Sequence, residues 1–206
     1  MTLRATVRPY RPEDRDALYD ICVRTALDGG DSRQLYPDLE LMPSIFAAPY
    51  AVLEPDLAFV VDDGERAVGY VVGTADTATF VKRYRTEWLP TLTERYPRPE
   101  QAPPTPTPTE VMVGLMHLPE RMLLPELQQY PAHLHIDLLP SHQRMGHGRE
   151  LMDALFAALR SAEVPRVHLG MVTANTAARA FYDRLGFHEI PVADPGPLTY
   201  LGRSTD

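Results

Sequence analysis

The chain holds a single cysteine, Cys22, in 206 residues, which excludes an intrachain disulfide and any cysteine-based metal cluster. It also lacks any apolar run of about 18 residues, so no membrane-spanning helix is expected. The opening MTLRATVRPYRPEDRD has no apolar stretch of signal-peptide length. Together these absences fit a reducing cytoplasm. Cationic excess is missing too: 20 lysines and arginines face 28 acidic residues, for a net charge of −8. Such a balance argues against non-specific nucleic-acid binding. An acidic surface favours a cationic partner such as an amine.

What is present is ordinary for a globular protein, with 44% apolar and 23% charged residues. The length fits a single domain over 1–206, one that removes roughly 70% of its unfolded surface from water. Residues 3–8 alternate weakly and predict an edge strand. Pro12, followed by Glu13 and Asp14, opens a helix on which Ala17, Leu18, Ile21, Cys22 and Thr25 share a face. Cys22 on that apolar stripe reads as a buried structural thiol. A short helix is expected over Leu41–Ala47, before Pro49. Ala58–Val61 and Ala67–Gly73 flank Asp62-Asp63-Gly64-Glu65, a β-hairpin pattern. Thr77–Trp88 reads as a helix that breaks at Pro90. The stretch PRPEQAPPTPTP, Pro97 to Pro108, is expected to be a loop within a longer proline-rich insertion around 77–130.

The second half carries the chemistry. His133–Leu139 is a predicted strand, Gly148–Glu163 a helix, Arg166–Val172 a strand, and Asn175 caps a helix through Leu185, with Gly186 ending it. Between the first strand and its helix lies Gln143-Arg144-Met145-Gly146-His147-Gly148. Two glycines there permit a tight turn, and the helix start turns N–H groups and positive partial charge outward, a site for phosphate or pyrophosphate. A Walker loop is excluded because Arg149 and Glu150 stand where Lys and Ser/Thr belong. A Rossmann turn is excluded because Leu151 replaces its third glycine and Val172-Thr173 replace the acidic residue after the next strand.

Two segments therefore stand together: Leu138-Leu-Pro140-Ser-His-Gln143-Arg-Met-Gly146-His-Gly148, and Asn175-Thr-Ala-Ala178-Arg-Ala-Phe181-Tyr182-Asp-Arg-Leu-Gly186-Phe187. The pair resembles the GNAT superfamily of acetyl-CoA-dependent N-acetyltransferases, over about residues 133–190. The whole chain further resembles bacterial acetyltransferases related to the C-terminal acetyltransferase-like domain of O-GlcNAcases. The resemblance implies an α/β fold with a mixed, mostly antiparallel central sheet, a splayed parallel pair of strands and flanking helices. It implies acetyl-CoA as co-substrate and an amine acceptor, attacked directly in a ternary complex. Pantetheine would lie against the backbone of Leu138 and Leu139, with Asn175 and Ala178 lining its other side. The pyrophosphate would rest on the N–H groups of Arg144, Met145, Gly146, His147, Gly148 and Arg149, beside Gln143. Tyr182 occupies the position from which the family donates a proton to the departing thiolate.

Residue chemistry supports part of this independently. Asn175, Ala178 and Tyr182 share one helix face by their spacing. Tyr182 is either that acid or a core tyrosine. Strand alternation places His133, His135 and Asp137 together. Asp137 then accepts a proton from the amine, holds the acceptor's cation, or is a structural carboxylate. His-x-His-x-Asp has no further ligand cluster to complete a metal site, so no metal is expected. The alternative function is a non-catalytic domain of the same fold that binds acyl-CoA or a protein.

Overall fold

The computed structural model describes residues 5–99 and 104–206. Seven strands form one sheet in the order β1 (Thr6–Pro9), β2 (Ala58–Asp62), β3 (Ala67–Thr74), β4 (Ala132–Leu138), β5 (Arg166–Val172), β7 (Leu198–Ser204), β6 (His188–Ile190). All neighbours are antiparallel except β4 and β5. The helices are α1 (Arg15–Thr25), α2 (Leu41–Phe46), α3 (Ala48–Leu53), α4 (Thr77–Arg83), α5 (Pro108–Met116), α6 (His147–Ser161) and α7 (Thr176–Arg184). The mixed, mostly antiparallel sheet with one parallel pair is the architecture expected from the sequence.

Cross-strand register sorts the side chains. His133, His135 and Asp137 of β4 stand opposite Thr74, Val72 and Tyr70 of β3, and His133 lies beside His168 of β5. This face is covered by α1 and α3, which bring Cys22 and Tyr50 down onto it. The opposite face, including Leu134, packs against α6 through its buried stripe of Leu151, Met152, Leu155, Phe156 and Leu159. Cys22 is buried, as its place on the apolar stripe of α1 predicts, and burial raises its thiol pKa far above the usual value.

The two motif helices end as the sequence indicates. The Asn175 side chain accepts from the Ala178 N–H at 3.0 Å and caps α7. Gly186, at φ +79°, closes it, while the Phe187 N–H reaches back to the Tyr182 carbonyl at 3.1 Å.

Elsewhere the chain departs from the pattern. The edge strand runs over Thr6–Pro9 rather than 3–8, whose first residues lie outside the described ones. The helix expected over Leu41–Ala47 forms over Leu41–Phe46, and Pro49 sits in the first turn of the helix that follows, α3, where a missing N–H costs nothing. The helix over 77–88 is regular only to Arg83. It widens to a π-helical turn over Tyr84–Trp88 and tightens at Leu89–Thr91, because Pro90 cannot supply the next hydrogen bond. Of the expected loop Pro97–Pro108, residues 100–103 lie outside the described ones. At its end Thr107 and Glu110 form a capping box that starts α5. Strands β6 and β7 were not anticipated at all.

Candidate functional site

Strands β4 and β5 pair only at Ala132 with Val167 and at His133 with His168. Beyond that they diverge and leave a gap in the middle of the sheet. Which groups face the gap follows from register. The Leu139 N–H donates to the Val68 carbonyl at 3.0 Å, so by antiparallel alternation Asp137 and His135 also bond toward β3. The N–H and C=O groups of Ile136 and Leu138 therefore turn toward the gap. The Leu138 carbonyl is held by the Gln143 side chain, whose Nε2 donates at 2.9 Å. Leu139 does not face the gap. Its N–H is committed to β3 and its side chain is buried.

At the end of the gap lies the turn into α6. Arg144 and Gly146 both take left-handed backbone, φ +61° and +95°. Gly146 is favoured there by its backbone conformation alone, because a Cβ would meet nothing within 4 Å. The Gly146 carbonyl accepts the N–H groups of Arg149 and Glu150 at 3.0 and 3.1 Å. The Arg149 N–H is thus spent inside the helix, and the anion-facing donors shorten to the segment ending at Gly148. The Arg149 side chain bonds the Arg184 carbonyl at 3.2 Å, tying α6 to the end of α7. The His147 ring turns inward, its side chain 8% exposed with Nδ1 3.0 Å from Glu150 Oε2, so only its backbone is left to the turn. Met145 is the most exposed large apolar residue of the loop, at 63%.

Asp137 on β4 and Tyr182 on α7 lie near enough for the charge of one to act on the other. Burial pushes the Asp137 carboxyl up to about 6, although the Tyr70 hydroxyl, donating at 2.6 Å, acts in the opposite direction. Tyr182 is 8% exposed and packs on Phe187, with ring centroids 5.4 Å apart. Its pKa is raised by burial first and then by the negative charge of Asp137, so it remains a protonated donor. Asn175 and Ala178 share its helix face, both partly buried.

Beside Asp137 runs a polar chain that sequence reasoning missed. His135 Nε2 lies 3.2 Å from the Tyr50 hydroxyl, which lies 2.7 Å from His133 Nε2. His133 Nδ1 lies 2.8 Å from the Thr77 hydroxyl, which donates to the Pro131 carbonyl at 2.8 Å. One polarity satisfies every member. Thr77 gives its only proton to Pro131, so His133 Nδ1 must donate to Thr77. His133 Nε2 then accepts from Tyr50, and His135 Nε2 donates to Tyr50. That assignment leaves His135 Nδ1 as an acceptor. Burial lowers the His135 pKa to about 4, so the ring is neutral at physiological pH. Among the described residues no group of three or more His, Cys, Asp or Glu is placed to hold a metal ion, and no helix is long and apolar enough to cross a membrane.

With this geometry in hand, residues 112–187 match the model of the acetyltransferase (GNAT) family. The crystal structure of SsHAT is 61% identical at a TM-score of 0.94, covering 98% of both chains. Protein O-GlcNAcase of Rattus norvegicus is 26% identical over 203 residues, which are 97% of this chain but 22% of that protein. The chain thus spans under a quarter of the length of the curated relatives it matches. An N-acetyltransferase, paia, of Thermoplasma acidophilum, in complex with coenzyme A, shares the fold at a TM-score of 0.58 and 10% identity, covering 98% and 99% of the two chains.

Gly148 has a role that differs from a simple clearance for phosphate. A Cβ there would lie 3.1 and 3.2 Å from the Phe181 ring, so the residue sets how closely α6 and α7 approach. Gly148→Val should lower the stability of the ligand-free protein by about 1–3 kcal/mol through overpacking, read by urea denaturation. Combining it with Phe181→Ala should cost less than the two changes summed. A Gly148→Val protein as stable as wild type would overturn this account.

Proposed function

The chain belongs to the acetyltransferase (GNAT) family, and we propose that it moves the acetyl group of acetyl-CoA onto an amine by direct attack within a ternary complex. One observation carries this reading. The gap offers the backbone of Ile136 and the N–H of Leu138 along its edge, and it runs from Asp137 and Tyr182 toward the N–H groups of the turn ending at Gly148. A thioester on an extended, hydrogen-bonding arm with a pyrophosphate at its far end has the shape and chemistry of that path.

In this reading the backbone of Ile136 and Leu138 orients the pantetheine arm, and Asn175 and Ala178 close its other side. The amine nitrogen attacks the thioester carbonyl carbon, and its proton passes to the Asp137 carboxylate, directly or through one water. As the carbon–sulfur bond breaks, the sulfur takes the proton of the Tyr182 hydroxyl, leaving N-acetylated product and free CoA thiol. Holding both reactants supplies much of the acceleration. A fold that binds acyl-CoA without chemistry gains nothing from a carboxyl held near neutrality beside a protonated phenol.

Acetyl-CoA should raise thermal stability, by roughly 2.7 kcal/mol at 100 times its dissociation constant. Thermal shift against CoA and ATP reads this, and a larger effect from ATP would overturn the assignment. Tyr182→Phe keeps the ring and removes the donor. A thiolate is a fairly stable leaving group, so turnover should fall by only about 10- to 100-fold with acetyl-CoA affinity little changed. Normal turnover in that variant would remove Tyr182 from the mechanism.

The pH dependence follows from Asp137. Activity requires its charged form, so kcat/KM should rise with pH through about 6 and level off above. Tyr70 donates to that charged form and holds the pKa down, so Tyr70→Phe should move the acidic limb to higher pH. A hydrogen bond of about 1–1.5 kcal/mol corresponds to roughly one pH unit. A limb that stays in place when Tyr70 or Asp137 is changed would assign the proton to another group.

A further inference from the structure

The face of the sheet that carries Asp137 has a cation above it, Arg121, with no carboxylate partner among the described residues. Arg121 lies in the short helical turn Pro119–Met122 after α5, with its guanidinium carbon 5.9 Å from the centre of the Phe46 ring. Phe46 in turn meets the edge of His135, ring centroids 5.7 Å apart. Arg121 is partly buried, and among the described residues it has no carboxylate within 4.0 Å. Its neighbour Glu120 is already held by both Nε and Nη2 of Arg85 at 2.5 Å. The one hydrogen bond that Arg121 makes is long, Nε to the Leu115 carbonyl at 3.5 Å. Its two terminal nitrogens have no partner among the described residues.

Through Phe46 the guanidinium lies on the His135 side of the site. After burial, it is Arg121 that lowers the pKa of His135 most, and the same charge acts on Tyr50 and on Tyr200 of β7. Tyr200 stands opposite Gly170 of β5, and its ring lies over that residue, 3.2 Å from where a Cβ would be. The aromatic and imidazole groups around it are neutral. A half-buried guanidinium among neutral rings is costly unless a partner arrives, and its planar fork matches a carboxylate in two parallel hydrogen bonds.

We propose that Arg121 docks a carboxylate of the acceptor, so that the substrate class is amines carrying a carboxylate several bonds from the nitrogen. The proposal rests on the acetyl-transfer reading above. The amine reaches Asp137 while the Phe46 and His135 rings lie between it and Arg121, a separation that favours an ω-amino acid or an acidic peptide over an α-amino acid. His135 Nδ1, left as an acceptor by the Tyr50–His133–Thr77 chain, receives an N–H of the same substrate. The net negative charge of the protein gives no general attraction for such a group, so the local cation supplies it.

The test uses matched probes: δ-aminovalerate against its amide, and glycyl-glutamate against glycyl-glutamine. Calorimetric titration into protein saturated with CoA reads docking without turnover, and kinetics with acetyl-CoA read KM and kcat separately. At least one acid should bind about tenfold or more tightly than its amide, as a charge-assisted hydrogen-bonded pair gives. Which pair shows it distinguishes a free amino acid from a peptide. Arg121→Met keeps the stem on Phe46 and should erase that preference, raising KM for the acid with kcat and acetyl-CoA affinity nearly unchanged. Arg121→Lys should restore part of it. Equal binding of every acid and its amide, or a preference that survives Arg121→Met in a normally melting protein, overturns the proposal. If the acids dock as expected but no CoA thiol is released from acetyl-CoA, the transfer reading fails and the docking site stands.

Discussion

Everything at this site depends on a sheet that stops pairing in its middle. Strands β4 and β5 share a ladder for only two residues and then part, although both continue for several more. Main-chain donors and acceptors left without partners inside a protein are costly, so a break here is kept only where something else meets them. The chain meets one of them itself, by folding Gln143 back onto the Leu138 carbonyl. The others face the gap. The left-handed turn at Arg144 and Gly146 and the start of α6 stand beyond its Leu138 end.

The parts of this arrangement written in local sequence were legible before any coordinates. The glycine turn, the Asn175 cap and the Gly186 stop each involve residues a few positions apart, and local chemistry specifies them. Alternation alone placed His133, His135 and Asp137 on one face. What local pattern could not supply is what meets that face. Tyr70 reaches Asp137 through the β3–β4 register, Tyr50 reaches His133 from α3, and Arg121 reaches Phe46 from beyond α5; each pairing is decided by tertiary packing. One element had a signal in the sequence: Thr107 with Glu110 spells a capping box at the edge of the proline-rich stretch. The inward turn of the His147 ring onto Glu150, at the first residue of α6, is set by packing.

The electrostatics of the site come from two groups placed in one low-dielectric space with opposite needs. Burial destabilises the charged form of both Asp137 and Tyr182, and the negative charge of Asp137 further disfavours a tyrosinate nearby. The result is separation: a carboxyl that titrates near neutrality and a phenol that stays protonated. Two titratable groups whose environments drive their pKa values apart divide naturally into base and acid. Tyr70 tunes the first of them. Without its hydroxyl the same burial would carry Asp137 further upward, which in the proposed mechanism would leave it protonated where a base is required.

Arg121 adds a third charge whose sign fits this division. Burial keeps the His135 imidazole neutral, and the cation beyond Phe46 adds to that, which leaves the ring a hydrogen-bond acceptor instead of a second positive charge. The same cation lies beyond Phe46 and is therefore shielded from pairing directly with Asp137, which would pull the carboxyl's pKa down and weaken it as a base. One positive charge held at this remove favours the base at one end and a carboxylate at the other. A substrate that brings both an ammonium and a carboxylate neutralises the two ends together, and it is the only kind of amine that leaves neither buried charge without a partner.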